Sequence, residues 1–141
     1  MATTTATITL SSTDLLSDEL ALNTTATLTA AGNSTGVTAT IGLSRVTISD
    51  TSETTLFDAS AYTDDKAHKA YIKNTSDTAA QYFLVKIAGA EIGRLYAGDW
   101  MFVPYNASDG DAEVEVKGLL GPNKIEYAMF KTAWTLPAAE S

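Results

Sequence analysis

Apolar and polar side chains alternate with a period of two through most of the second half of this chain. The strand candidates are KAYIKN (69–74), QYFLVKIA (81–88), EIGRLY (91–96), WMFVP (100–104), AEVEVKG (112–118) and KIEYAMFKTAW (124–134), and the alternation is clearest in AEVEVKG. That period sends successive side chains to opposite faces of an extended strand. The stretches between these runs, NTSDT, AGA, AGD, NASDGD and LLGPN, are rich in turn formers. Short strands at such spacing predict an all-β fold, an antiparallel β-sandwich or barrel. No ten-residue run combines helical periodicity with caps. The residues expected to point inward are Tyr71, Phe83, Val85, Met101, Val103, Tyr127 and Met129.

The first part of the chain is different. LALNTTATLTA sets Leu20, Leu22, Thr24, Ala26 and Leu28 on one side and Asn23, Thr25, Thr27 and Thr29 on the other, a strand pattern built largely from threonine. TATITL (5–10) is extended by the same reasoning. STDLLSDEL (12–20) predicts one short helical turn capped by Ser12 or Thr13, and AAGNSTG (30–36) a loop. Residues 1–56 hold 17 of the 22 threonines and no aromatic, whereas all twelve aromatics lie between Phe57 and Trp134. Aromatics supply much of a core's buried area. The expected division is therefore a Thr-rich N-terminal segment, 1–56, acting as an arm plus added strands, and a sandwich core, 57–141. The segment's own apolar side chains bury too little to offset backbone ordering at about 1–2 kcal/mol per residue. It must dock on the rest of its chain or on a partner, and residues 1–10 are expected to form an inter-subunit arm that adds to a neighbour's sheet edge.

Charge narrows the function. The net charge is −8, so nucleic acid, whose binding rests on phosphate neutralisation, is not an expected partner. Residues 1–65 carry eight acids against Arg45 alone, while 66–141 are nearly balanced, with nine acids and eight bases. With no Cys and a single His, disulfides, thiolate metal sites and paired imidazoles are all out of reach. No apolar run approaches the roughly 18 residues of a spanning helix, so no membrane contact is expected. MATTTATITLSSTD lacks the basic start and apolar stretch of a secretory signal, which implies cytoplasmic synthesis.

Candidate chemistry is sparse. AGDWMFVP, with Gly98-Asp99 and Pro104, resembles the second half-motif of the cupin jelly roll, in which a Gly-Asp turn feeds a core strand ending at Pro. The cupin metal ligands have no counterpart, since residues 105–112 contain no His and His68 is the only one in the chain. The stretch is read as a core strand without chemistry: Met101 and Val103 face one way, Trp100 and Phe102 the other, and Pro104 closes the strand. DDKAHK (64–69) is read as a solvated loop that leaves His68 exposed or at an edge. Asn106, Ser108, Asp109, Asp111 and Glu113 place oxygens at near-alternate positions, but their order does not fit a calcium-binding EF-hand loop. No Ser, Thr or Lys stands beside a base, and no Gly-rich phosphate loop occurs. Asn23, Asn33, Asn74 and Asn106 each begin an Asn-x-Ser/Thr triplet, which threonine richness alone produces. The chain is thus expected not to be an enzyme and to have no catalytic, cofactor-binding or metal-binding residue.

Four stretches, ITLSSTDLLSDELALNTTATLTAAGNSTG, AYIKNTSDTAAQYFLV, EIGRLYAGDWMFVPYNAS and IEYAMFKT, carry a broader likeness. With them most of the chain resembles small virion structural proteins of marine tailed bacteriophages, of cyanophage type. The resemblance implies a sandwich on the surface of a virion. There it would act as a capsid decoration or cement protein that binds the major capsid protein and self-associates, preferably as a trimer. The alternative it implies is a tail- or fibre-associated module that binds a host surface glycan. For a sugar or other small ligand, Trp100, Tyr105 and Trp134 are the candidate stacking platforms.

Overall fold

The computed structural model describes residues 4–12, 20–28, 39–61, 68–105 and 112–131. Ten strands make up most of them: β1 (Thr4–Ser12), β2 (Leu20–Leu28), β3 (Ala39–Ile48), β4 (Thr54–Phe57), β5 (His68–Asn74), β6 (Tyr82–Ile87), β7 (Ala90–Tyr96), β8 (Trp100–Tyr105), β9 (Val114–Leu119) and β10 (Asn123–Lys131). A single 3-10 turn, Ala59–Ala61, follows β4. Among the described residues no helix is long and apolar enough to cross a membrane.

Strands β3–β10 form two four-stranded sheets, in the orders β3-β10-β5-β8 and β4-β9-β6-β7. Every pairing within them is antiparallel. The first of these eight strands pairs with the last, the second with the seventh, the third with the sixth, and the fourth with the fifth. That nesting is one long antiparallel hairpin rolled on itself, the jelly-roll arrangement. Its tip is the β6–β7 turn, where Ala88 (φ 51°) and Gly89 (φ 74°) both adopt the left-handed conformation that a tight two-residue hairpin requires.

The expected all-β sandwich is thus what the chain forms, and the alternation explains how. Along β5 the even positions His68, Ala70, Ile72 and Asn74 are buried and the odd positions half-buried. Phe83, Val85, Val114 and Val116 of one sheet meet Ala70, Ile72, Ile125 and Met129 of the other in a single core, with Phe57, Ile48 and Tyr105 at its margins. Met101, Val103 and Tyr127 pack against it. Tyr71 is a correction: the register fixed by Ala70 and Ile72 turns it outward with Lys69 and Lys73, where its hydroxyl donates to Glu126 Oε1 at 3.0 Å. The sandwich also reaches back past residue 57. β3 pairs along β10, β4 pairs with β9, and Ile48 is 2% exposed.

The N-terminal segment contributes strands of its own besides β3 and β4. β1 pairs with β2 of its own chain over a nine-residue register from Thr4↔Leu28 to Ser12↔Leu20, as a separate two-stranded sheet. Ser12 and Leu20 are strand termini. The helical turn expected between them, and the loop at 30–36, lie outside the described residues.

One end of the sandwich is closed by polar groups. Asn74 Nδ2 donates to the Leu95 carbonyl at 2.9 Å, and Asn74 Oδ1 accepts from the Ser76 amide at 3.0 Å. Asn123 Nδ2 donates to the Gly121 carbonyl at 2.9 Å, and the Lys124 amide donates to Ser76 Oγ at 2.9 Å. Both asparagines are 0% exposed, so the Asn74 triplet cannot carry a glycan. Gly118 belongs to this end. A Cβ there would stand 2.8 Å from the Ser49 carbonyl oxygen and 3.0 Å from Asn123 Nδ2. Backbone cannot yield as a flexible side chain does, so Gly118→Ala should cost about 1–3 kcal/mol, visible as a lowered thermal midpoint. A midpoint equal to wild type would show that the β9 backbone shifts freely.

Candidate functional site

Three of the residues singled out from sequence are settled by their burial. His68 was expected exposed and is instead 2% exposed, set edge-on to Tyr105 with ring centroids 6.4 Å apart. The acidic and basic neighbours suggested solvent, but the two-residue period anchored by Ala70 and Ile72 carries His68 inward. Tyr105, a candidate stacking platform, is 6% exposed and lies against Phe57 at 6.2 Å, so its ring faces are used by the core. Trp100 is 54% exposed. Trp134 and the oxygen-rich stretch at Asn106, Ser108, Asp109 and Asp111 lie outside the described residues. Among the described residues no group of three His, Cys, Asp or Glu side chains is placed to hold a metal ion.

The Gly98-Asp99 turn sets Trp100 in position. Gly98 has φ 90°, a conformation that costs a Cβ-bearing residue strain. Asp99 Oδ2 accepts from the Tyr96 amide at 2.9 Å, and the Asp99 amide donates to the Tyr96 carbonyl at 2.9 Å. β8 then leaves as an edge strand pairing only with β5. Pro104, which has no N–H, is tolerated one residue before the strand's end because, among the described residues, β8 has no neighbour on its other side. Met101 and Val103 turn to the core, and Trp100 and Phe102 to the outer face, as expected.

That outer face is aromatic. The register aligns Leu43, Ala128, Tyr71 and Phe102 across all four strands, with Phe130 in the next row. Phe102 and Phe130 meet edge to face at 5.8 Å. Ala128 in the middle is 2% exposed although it stands outside the core cluster, so larger neighbours shield it. Above this face runs β1. Thr5, Thr7 and Ile8 form one wall, and Leu43, Tyr71, Trp100, Phe102 and Phe130 the other, of a groove of about 360 Å³. The N-terminal segment thus supplies a wall to a site whose floor is the aromatic part of the same chain.

Beside the floor runs a charged row, Arg45–Glu126–Lys73–Trp100, in direct cross-strand register. Arg45 Nε and Nη2 both reach Glu126 Oε2 at 2.8 Å. Burial alone would raise the Glu126 carboxyl, but hydrogen bonds from Arg45 and Tyr71 and the nearby charges of Arg45 and Lys73 outweigh it and hold the group below its ordinary 4.5. The Tyr71 hydroxyl is pushed up, first by burial and then by its bond to that carboxylate. Because the folded Glu126 titrates below the unfolded one, its contribution to stability is complete above about pH 4.5 and is lost as pH falls through the folded value. Glu53, Asp58 and Asp77, each held down mainly by a side-chain hydrogen bond, act in the same sense. Melting midpoints should therefore fall below about pH 4.5, and Glu126→Gln should flatten that fall. An unchanged acid limb in the variant would show that the carboxylate does not couple to folding.

The other sheet carries a smaller patch. Tyr82, paired with Tyr96 and Leu119, stacks on Tyr96 at 4.9 Å and lies under Arg94 at 5.2 Å. Tyr96 is 43% exposed, and Leu120, in the adjoining turn, 67%. Sequence reasoning named Trp100 as a stacking platform but missed the rest of both patches, because it treated the other aromatics as core. The two-residue parity, applied from each strand's buried residue outward, would have found them. No protein-family model matches this chain, and no curated protein matches it.

Proposed function

We propose that this chain is a structural virion protein of decoration or cement type, which binds the major capsid protein on the outside of a capsid and ties neighbouring subunits together. One observation carries the reading: both outer faces of the sandwich expose large apolar side chains, Leu43 and Trp100 on one, Tyr96 and Leu120 toward the other. An antiparallel sandwich that works alone keeps its outer faces polar, and exposed apolar patches mark contact surfaces. Two such patches on opposite sheets suit a protein that bridges subunits. The likeness of the chain to tailed-phage virion proteins points the same way, and jelly rolls recur in viral capsid proteins. The acidic surface keeps free copies apart until a specific contact forms. Self-association, as a trimer, belongs to the same proposal, which assigns the chain no catalytic step.

The test is co-sedimentation with undecorated particles. The protein should pellet with them, at a copy number that follows the capsomers. Tyr96→Asp with Leu120→Asp should weaken pelleting at least about tenfold, the loss of one buried anchor, with the melting curve unchanged. Protein that stays in the supernatant would overturn the reading. A few copies per particle, found at the tail, would favour the tail- or fibre-associated alternative instead.

A further inference from the structure

We propose that the groove between β1 and the β3-β10-β5-β8 sheet is a saccharide site, and that it takes a carboxylated pyranose, a uronic-acid type of sugar, stacked on Trp100. The groove shares Leu43 and Trp100 with one of the two faces used in the capsid reading, but its test involves no particle.

Size sets the first limit. A volume of about 360 Å³ lies at the small end of ligand sites. It accepts one or two sugar rings and is too small for a docked strand or helix. Chemistry sets the second. Trp100 forms a wall of the groove and is 54% exposed. A half-open indole offers the flat apolar face that the C–H side of a pyranose covers. Opposite stand Thr5 and Thr7, exposed on β1, whose hydroxyls both donate and accept hydrogen bonds, as ring hydroxyls require. On the sheet side the lining includes Tyr71, whose hydroxyl donates to Glu126 Oε1 at 3.0 Å.

Charge chooses among sugars. The four strands of this sheet hold Arg45, Lys69, Lys73, Lys124 and Lys131 against the single acid Glu126, in a chain of net charge −8. Lys124 is engaged by Asp77 at 2.6 Å and Arg45 by Glu126. Lys73 is the cross-strand partner of Trp100, one strand spacing, about 5 Å, away. A carboxylate on a ring stacked over the indole is therefore within reach of the Lys73 ammonium, and a second ring within reach of the exposed Arg45 guanidinium. Aromatics framed by bases also suit single-stranded nucleic acid. The β1 wall limits the groove to less than a run of stacked nucleotides, so the sugar acid is the better fit.

The experiment is titration of the full chain, followed by tryptophan fluorescence in the Trp134→Phe background and by calorimetry. The probes are a trimer of 1,4-linked galacturonate, maltotriose as the neutral control, and a ten-residue oligothymidylate. Trigalacturonate should bind saturably, about tenfold more tightly than maltotriose, the worth of one charge-assisted contact. Trp100→Ala, at an exposed position, should melt normally and lose at least about tenfold in affinity for both sugars. Lys73→Gln should lose only the preference for the acid. Absence of saturable trigalacturonate binding, unchanged binding by a folded Trp100→Ala, or equal affinity for the neutral trimer would each overturn the proposal. Tighter binding of the oligothymidylate than of either sugar would overturn it in favour of a nucleic-acid platform.

Discussion

Phe83→Ala is expected to remove about 3–5 kcal/mol of stability, the usual range for an aromatic deleted from a core. Phe83 is 0% exposed, and its strand is flanked by a partner on each side. One cross-strand partner is Gly118, which has no side chain to move into the void, and the other, Leu95, is an edge residue already packed on the core. The space next to Gly118 is occupied by the Ser49 carbonyl and Asn123, so the cavity cannot close from that end either. Domains hold only about 0.05–0.15 kcal/mol per residue in reserve, so this single change consumes much of the total. Urea unfolding should show a lower midpoint at an unchanged slope. Phe83→Leu, which keeps most of the volume, should cost less than half as much. A loss below about 1 kcal/mol for the alanine variant would mean that the two sheets can re-pack across the gap, contrary to the close-packed core described.

Asn74→Leu should be nearly as damaging, by a different route. The volume is almost kept, so cavity formation is minor. What is lost is a donor to the Leu95 carbonyl and an acceptor for the Ser76 amide. Each buried group left unsatisfied costs about 1–3 kcal/mol, which puts the variant about 2–5 kcal/mol below wild type. The damage should also be local in kind. Amide exchange at Ser76 should accelerate beyond what the global loss explains, because that N–H faces no other acceptor of equal geometry. Asn74→Asp separates the two bonds, since it keeps the acceptor for Ser76 but sets an oxygen against the Leu95 carbonyl. If Asn74→Leu melts within about 1 kcal/mol of wild type, water has replaced the amide and the end plug is not a structural requirement.

The sandwich was readable in the sequence wherever a strand buries one face only. AEVEVKG alternates cleanly, KAYIKN and QYFLVKIA are short apolar runs bounded by polar residues, and β5, β6 and β9 fall within a residue or two of these three stretches. Three things were not readable. Tyr71 and His68 were misplaced because residue character was weighed above parity: an aromatic was sent inward and a charged-looking histidine outward, while the strand's period decides both. Strand order was hidden because every jelly-roll pairing but the β6–β7 hairpin joins residues far apart, such as Ile48 and Asn123, and period alone carries no information on partners. The groove was hidden because its walls come from Thr5 and Thr7 near one end of the chain and Phe130 near the other. The exposure of Trp100 was legible, from its opposition in phase to Met101 and Val103.

The nesting of the strands also sets a timetable for synthesis. The β6–β7 turn leaves the ribosome midway through the chain, and its hairpin needs no other strand to begin. Each later strand then finds its partner progressively further back: β8 meets β5, β9 meets β4, and β10 meets β3. Because β10 lies between β3 and β5 in its sheet, those two strands have no common neighbour until the final strand is translated. A nascent chain stopped before Asn123 therefore holds one complete four-stranded sheet and a half-made second one, with the inner face of the first uncovered. Such non-local closure is slow, and the uncovered interval is when the chain is most open to aggregation or to chaperone capture.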